Sequence, residues 1–113
     1  MYRLKFLALG VIAACYVSPV LASDAEVTIL SPNEGAKLRA QSTIEIKYKA
    51  VPGLKGDHIH IVVDDQDPVI IFELEGGYTL EPLAVGKHGI CVRLVTKDHV
   101  ETGYQDCVMV RVD

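Results

Sequence analysis

The chain has 113 residues, with eleven basic and fifteen acidic side chains, half of its residues apolar and only 6% aromatic. Arg3 and Lys5 precede Ala22 and every acidic residue follows it, so beyond that point nine bases face fifteen acids, a net charge of −6. That sign excludes non-specific nucleic-acid binding, which needs basic groups to neutralise phosphates, and the length supports one small domain that benefits from a cross-link.

In chain order, the first segment, MYRLKFLALGVIAACYVSPVLASDAE, has the three parts of a secretory signal peptide: Arg3 and Lys5, an apolar run from Phe6 to Val17, and Val20 and Ala22 at the −3 and −1 positions of a cleavage site. The expected division is a signal peptide over 1–22 and a mature domain over 23–113. The apolar run is short of the ~20 residues a spanning helix needs, and Pro19 closes it, so no transmembrane segment is expected in the mature chain. A competing reading takes Ile12-Ala13-Ala14-Cys15 as a lipobox, with Cys15 lipidated and the protein tethered to a membrane; otherwise Cys15 is one more small apolar residue of the run. Both readings place the protein outside the cytoplasm, periplasmic or secreted in the first case and lipid-anchored in the second.

Beyond the leader no stretch sustains a 3.6-residue period. Alternation of period two recurs between turn residues, the pattern of an all-β antiparallel sandwich of the immunoglobulin-like or fibronectin type. Seven strands are expected. The first is Val27 to Leu30, stopped by Ser31-Pro32-Asn33-Glu34-Gly35, and the second Thr43 to Ala50, with Ile44, Ile46 and Tyr48 on one face and Glu45, Lys47 and Lys49 on the other. The third is Asp57 to Asp64. After the acidic turn Asp64-Asp65-Gln66-Asp67-Pro68 comes a fourth over Val69 to Glu75, and Gly76-Gly77 then breaks the chain. Tyr78 to Leu80, Gly89 to Thr96 and Gly103 to Val112 complete the set.

The last two strands predict a cross-link. In an antiparallel hairpin centred near His99, Cys91 falls opposite Cys107, and directly opposed residues lie ~4.5–5.5 Å apart at Cα, within bridging range. An even cysteine pair in an exported chain argues for that disulfide, on the outward face of the hairpin.

The third strand carries the candidate chemistry. Successive side chains point to opposite faces, so Ile59, Ile61 and Val63 form the inward set and His58 and His60 project outward together. Two imidazoles at i and i+2 can chelate one ion but hold it weakly. In an immunoglobulin topology the loop Thr96-Lys97-Asp98-His99 joins the last two strands at the end where the third strand begins, so His99, with Asp57 or Asp98, completes a set of imidazole and carboxylate ligands that suits copper or zinc. The plainer reading makes the two histidines the wet side of an ordinary strand. His88 stands at the other end of its strand, ~25 Å away at ~3.3 Å per residue, and is expected to be a turn residue. The acidic turn lacks the ligand spacing and glycine of a calcium loop.

Catalysis finds no support: Ser23, Ser31 and Ser42 lie outside any nucleophile-elbow context, and no glycine-rich phosphate loop occurs. GDHIH is similar to the metal-binding strand of copper, zinc superoxide dismutases, but their two-metal site takes six histidines and an aspartate, against four histidines here.

Taken together, SPNEGAKL, GDHIHIVVDD and LEPLAVGKHGICVRLVTKDHV resemble a family of small exported bacterial domains of unassigned function, marked by S-P-x-x-G-A, a Gly-His-rich strand ending in V-D, a G-x-H turn and a late D-H. The resemblance spans most of residues 27–112. It implies a periplasmic immunoglobulin-like domain with His58, His60, His88 and His99 at a suspected metal or ligand site. The chain departs from the pattern in Asp57, where histidine is frequent, in Ala84-Val85-Gly86, and in its cysteine pair. The resulting expectation is a non-enzymatic exported binding domain that holds copper or zinc through His58, His60, His99 and Asp57. The alternative is a periplasmic or membrane-tethered protein-interaction module without a metal.

Overall fold

The alternation read between Thr43 and Ala50 is realised residue by residue. Ile44, Ile46, Tyr48 and Ala50 are buried, and Glu45, Lys47 and Lys49 are exposed between them. The computed structural model describes residues 24–113, so the signal peptide expected over 1–22 and lipidation at Cys15 lie outside the described residues. Eight strands occur: β1 Glu26–Ser31, β2 Ala36–Leu38, β3 Ile44–Val51, β4 His58–Val63, β5 Val69–Ile71, β6 Glu75–Leu80, β7 Gly86–Val95 and β8 Glu101–Val112. They form a three-stranded sheet in the order β1-β3-β6 and a five-stranded sheet in the order β2-β8-β7-β4-β5. Every pairing is antiparallel except β2 with β8. Among the described residues no helix is long and apolar enough to cross a membrane.

The core lies between the inner faces. Ile59 and Ile61 of β4 and Ile90, Val92 and Leu94 of β7 are fully buried and pack with Ile46 and Tyr48 of the opposite sheet. Each such side chain contributes ~1.5–3 kcal/mol of transfer free energy, so inward alternation in β4 and β7 fixes which faces point out.

One strand is added to the expected seven, and the boundaries around Gly76-Gly77 and at the starts of β7 and β8 move. The short β2 was not anticipated, because three residues beside a turn cluster carry too little alternation to be seen. The chain breaks at Phe72 to Leu74 and not at Gly76-Gly77, which lie inside β6 opposite Tyr48 and Lys47. At Gly77 the exposed Glu45 side chain lies across the strand, with its Oε2 2.5 Å from where a Cβ would stand. A glycine that reads as a breaker can equally mark a close approach within a strand.

The cysteine prediction holds. Cys91 and Cys107 are direct partners with Cα atoms 4.0 Å apart and are joined in a disulfide. Exposed cross-links of this kind persist in oxidising, extracytoplasmic compartments. The hairpin, however, does not stay centred on His99. Pairing runs from Gly86 with Val112 up to Arg93 with Gln105, then shifts so that Val95 pairs with Glu101. The extra β8 residues include Gly103, at φ +97°. This bulge moves the hairpin's centre to Asp98 and takes His99 off the tip.

Candidate metal centre

The outward face of β4 is where the unexpected burial occurs. His58 and His60 point away from the core, yet His58 is 0% exposed and His60 only 9%. The expectation of a wet strand face is therefore corrected. Phe72, just past β5, lies against the His58 ring with centroids 4.5 Å apart, and the His99 ring covers both histidines at 4.7 and 5.3 Å. Val95, opposite His58 in the register, is also 0% exposed although it is absent from the sandwich core.

Local structure explains how each ring is placed. The turn into β4 closes with the Gly56 amide donating to the Pro52 carbonyl, and a Cβ at Gly56 would sit 2.5 Å from that oxygen and 2.7 Å from Leu94. Only glycine lets the chain enter β4 there. His99 is held by a turn whose organiser is Thr96: its hydroxyl accepts from the Asp98 and Val100 amides, and its carbonyl from the His99 amide. His99 itself adopts φ +67°, a conformation seldom taken by residues other than glycine.

The ring nitrogens converge. His99 Nδ1 lies 3.3 Å from His58 Nε2 and 3.2 Å from His60 Nε2, and all three nitrogens fall within 4.8 Å of one another. Asp57 Oδ2 stands 3.0 Å from His58 Nδ1. A carboxylate can only accept, so that nitrogen carries the proton, and a neutral His58 then turns the lone pair of Nε2 towards His99. A proton on His99 Nδ1 must serve both neighbours at once. Burial first, and then the rings of His58 and His99, hold the His60 imidazole below the ordinary histidine range, against the opposing charge of Glu101. The cluster thus gathers lone pairs that hydrogen bonds within it satisfy only in part.

Asp57 sits behind His58, on the side of the ring away from the other nitrogens, so its position is that of a hydrogen-bonded orienter and not a direct ligand. The Asp98 amide donates to the Thr96 hydroxyl and so serves the turn that holds His99.

No family model and no curated protein matches the sequence. Among solved structures, the chain is similar to the fibronectin(III)-like modules of Clostridium thermocellum CbhA, at TM-score 0.64 and 18% identity, covering 77% of this chain and 96% of that one. The fold is the immunoglobulin-like sandwich in its fibronectin(III)-like form. The extracellular domain of a putative one-component system from B. thetaiotaomicron is similar at TM-score 0.64 and 10% identity over 82% of this chain, which spans only 16% of that domain. The extracellular domain of a putative hybrid two-component system from the same organism gives TM-score 0.57 and 12% identity over 72% of this chain and 12% of that one. At these identities the likeness is one of fold.

His88 stays apart from the cluster. Its Nδ1–H donates to Asp64 Oδ2 and its Nε2–H to the Ala84 carbonyl, both at 2.6 Å. Both acceptors lack a hydrogen, so both ring nitrogens are donors and the ring is an imidazolium. The bond to Asp64, then that to Ala84, raises its pKa. Burial works against the Asp64 carboxylate, but the bonds from His88 and the Gly89 amide outweigh it and lower its pKa. The sign follows for each. The His88 contribution to stability is complete below the ordinary histidine value of ~6.5 and disappears as pH rises through the raised folded value; the Asp64 contribution is complete above ~3.9 and disappears as pH falls through the lowered one. Melting temperature is therefore expected to fall as pH rises above ~6.5 in the wild type and to stay level in His88→Gln. A slope unchanged in the variant would contradict this account.

Phe72, Val95 and Thr96 escaped the sequence reading. Phe72 had a signal, since Ile70 and Phe72 are large apolar residues at outward positions of an alternating segment. Thr96 had none, because its role depends on the register slip.

Proposed function

We propose that this protein is a non-enzymatic, exported binding domain that holds one divalent metal ion through His58 Nε2, His60 Nε2 and His99 Nδ1. The observation that carries the reading is the nitrogen spacing. At metal–nitrogen distances of ~2.0–2.1 Å, tetrahedral ligands lie ~3.3 Å apart, and the two nitrogen separations about His99 are 3.2 and 3.3 Å. The neutral imidazole donors suit zinc and copper. Asp57 would orient His58 and raise its basicity, as carboxylates behind metal-bound histidines do. Removal of the 1–22 segment as a signal peptide, residence in the periplasm, and membership of the family of small exported domains that the motifs resemble all belong to the same proposal.

Calorimetric titration of Zn²⁺ into the exported form tests it. One ion per chain is expected to bind, and at a free concentration 100-fold above the dissociation constant it adds ~2.7 kcal/mol, raising the melting temperature by about 10–20 °C. Absence of both binding heat and thermal shift for Zn²⁺ and Cu²⁺ would leave the protein-interaction reading. That alternative has its own observation: Ile70, Phe72 and Val100, exposed to 48%, 63% and 59%, flank the histidines.

A further inference from the structure

Three imidazoles leave a tetrahedral ion one position short and, being uncharged, leave its two charges uncompensated. Asp57, through His58, offsets part of that charge from behind. The other side is reached from a cleft of about 310 Å³ lined by His60, Val62, Asp64, Asp65, Arg93 and Glu101, among others. His58 is sealed from solvent, and His60 is the histidine of the cluster that lines this cleft.

Glu101 is the acid placed to fill the free position. In the register His58, Val95 and Glu101 form one row across β4, β7 and β8, and His60, Arg93 and Gln105 form the next. Two strand spacings of ~4.8 Å separate the ends of the first row, a gap that an imidazole and a glutamate leaning over Val95 can span. In the structure the Glu101 carboxylate is paired with Arg93, whose Nη1 donates to its Oε2 at 3.2 Å, while Arg93 Nε donates to Gln105. The Glu101 side chain is 63% exposed and so is free to turn.

Resting on the metal reading above, we propose that Glu101 is the fourth ligand, released from Arg93 when the ion enters, so that the Arg93–Glu101 pair acts as a latch on a His₃Glu centre. The exchange is one of partners only. The carboxylate leaves a guanidinium, which stays in water, and binds the cation through one oxygen, with no proton or electron transferred.

Competition titrations with Zn²⁺ on the wild type, Glu101→Gln, Arg93→Gln and Asp65→Asn test the latch. Asp65 removes the same charge from the same cleft and controls for long-range attraction. Glu101→Gln is expected to weaken Zn²⁺ at least ~10-fold, and Asp65→Asn by less than about 3-fold. Arg93→Gln should tighten it by up to about 5-fold, the equivalent of an exposed ion pair. The visible spectrum of the Co²⁺-loaded protein should change in Glu101→Gln and stay unchanged in Asp65→Asn. Wild type and Glu101→Gln binding Zn²⁺ alike, or Arg93→Gln weakening it, would overturn Glu101 as a ligand while leaving the histidine site intact. A wild type that binds no Zn²⁺ would overturn both.

Discussion

Zinc is expected to bind the His99→Asn variant at least ~100-fold more weakly than the wild type, beyond the ~10–100-fold that partners behind a ligand usually control. Asparagine suits this test because His99 sits at φ +67°, and asparagine is among the few residues enriched there, so the turn keeps its shape while the imidazole is lost. The His99 ring is exposed but covers His58 and His60, so the melting temperature without added metal is measured alongside to separate loss of a ligand from loss of cover. His58→Ala would be a poorer probe: the ring is fully buried against Phe72, and its loss would unsettle the fold along with the site. Asp57→Asn should fall between, at ~10–100-fold, because the amide oxygen still accepts from His58 Nδ1 but brings no charge. Equal affinities in wild type and His99→Asn would dismantle the three-nitrogen site.

The second large effect concerns the cross-link. Replacing Cys91 and Cys107 together by alanine is expected to cost about 3 kcal/mol, the chain-entropy value for a loop near the 16-residue separation found here. Domains of this kind hold only ~5–15 kcal/mol in total, so the midpoint of urea unfolding should drop visibly, with a steeper slope because the unfolded chain is no longer looped. Cys107 is exposed and Cys91 half-buried on the outward face, which keeps packing losses small and makes the number a measure of the bond. A shift below about 1 kcal/mol would mean that the hairpin is held by its own ladder and needs no staple.

How far the site could be read in advance depended on the range of the interactions that build it. His58 and His60 share an outward face because side chains alternate in any strand, and the isoleucines beside them determine which face is inward. Cys91 and Cys107 were found by assuming an unbroken hairpin, which holds through Arg93 and Gln105. The same assumption mislaid the hairpin tip, since nothing local announces a two-residue slip except Gly103. Gly76 and Gly77 misled for the opposite reason: a glycine crossed by a neighbouring side chain in β6 looks, in one dimension, like a turn.

From the sequence alone came the β class, the export signal as an expectation, the disulfide partners and a strand with two imidazoles on one side. These follow from period-two alternation, composition and the counting of opposed residues, all of which act within a strand or a hairpin. The tertiary structure alone decided that the outward histidines are covered, that His99 reaches them, that Asp57 stands behind the His58 ring, away from the converging nitrogens, and that Arg93 holds Glu101 at the cleft. Those facts depend on how β5, the Thr96 turn and the β8 bulge lie over β4, contacts between segments up to 41 residues apart, and no local periodicity records them.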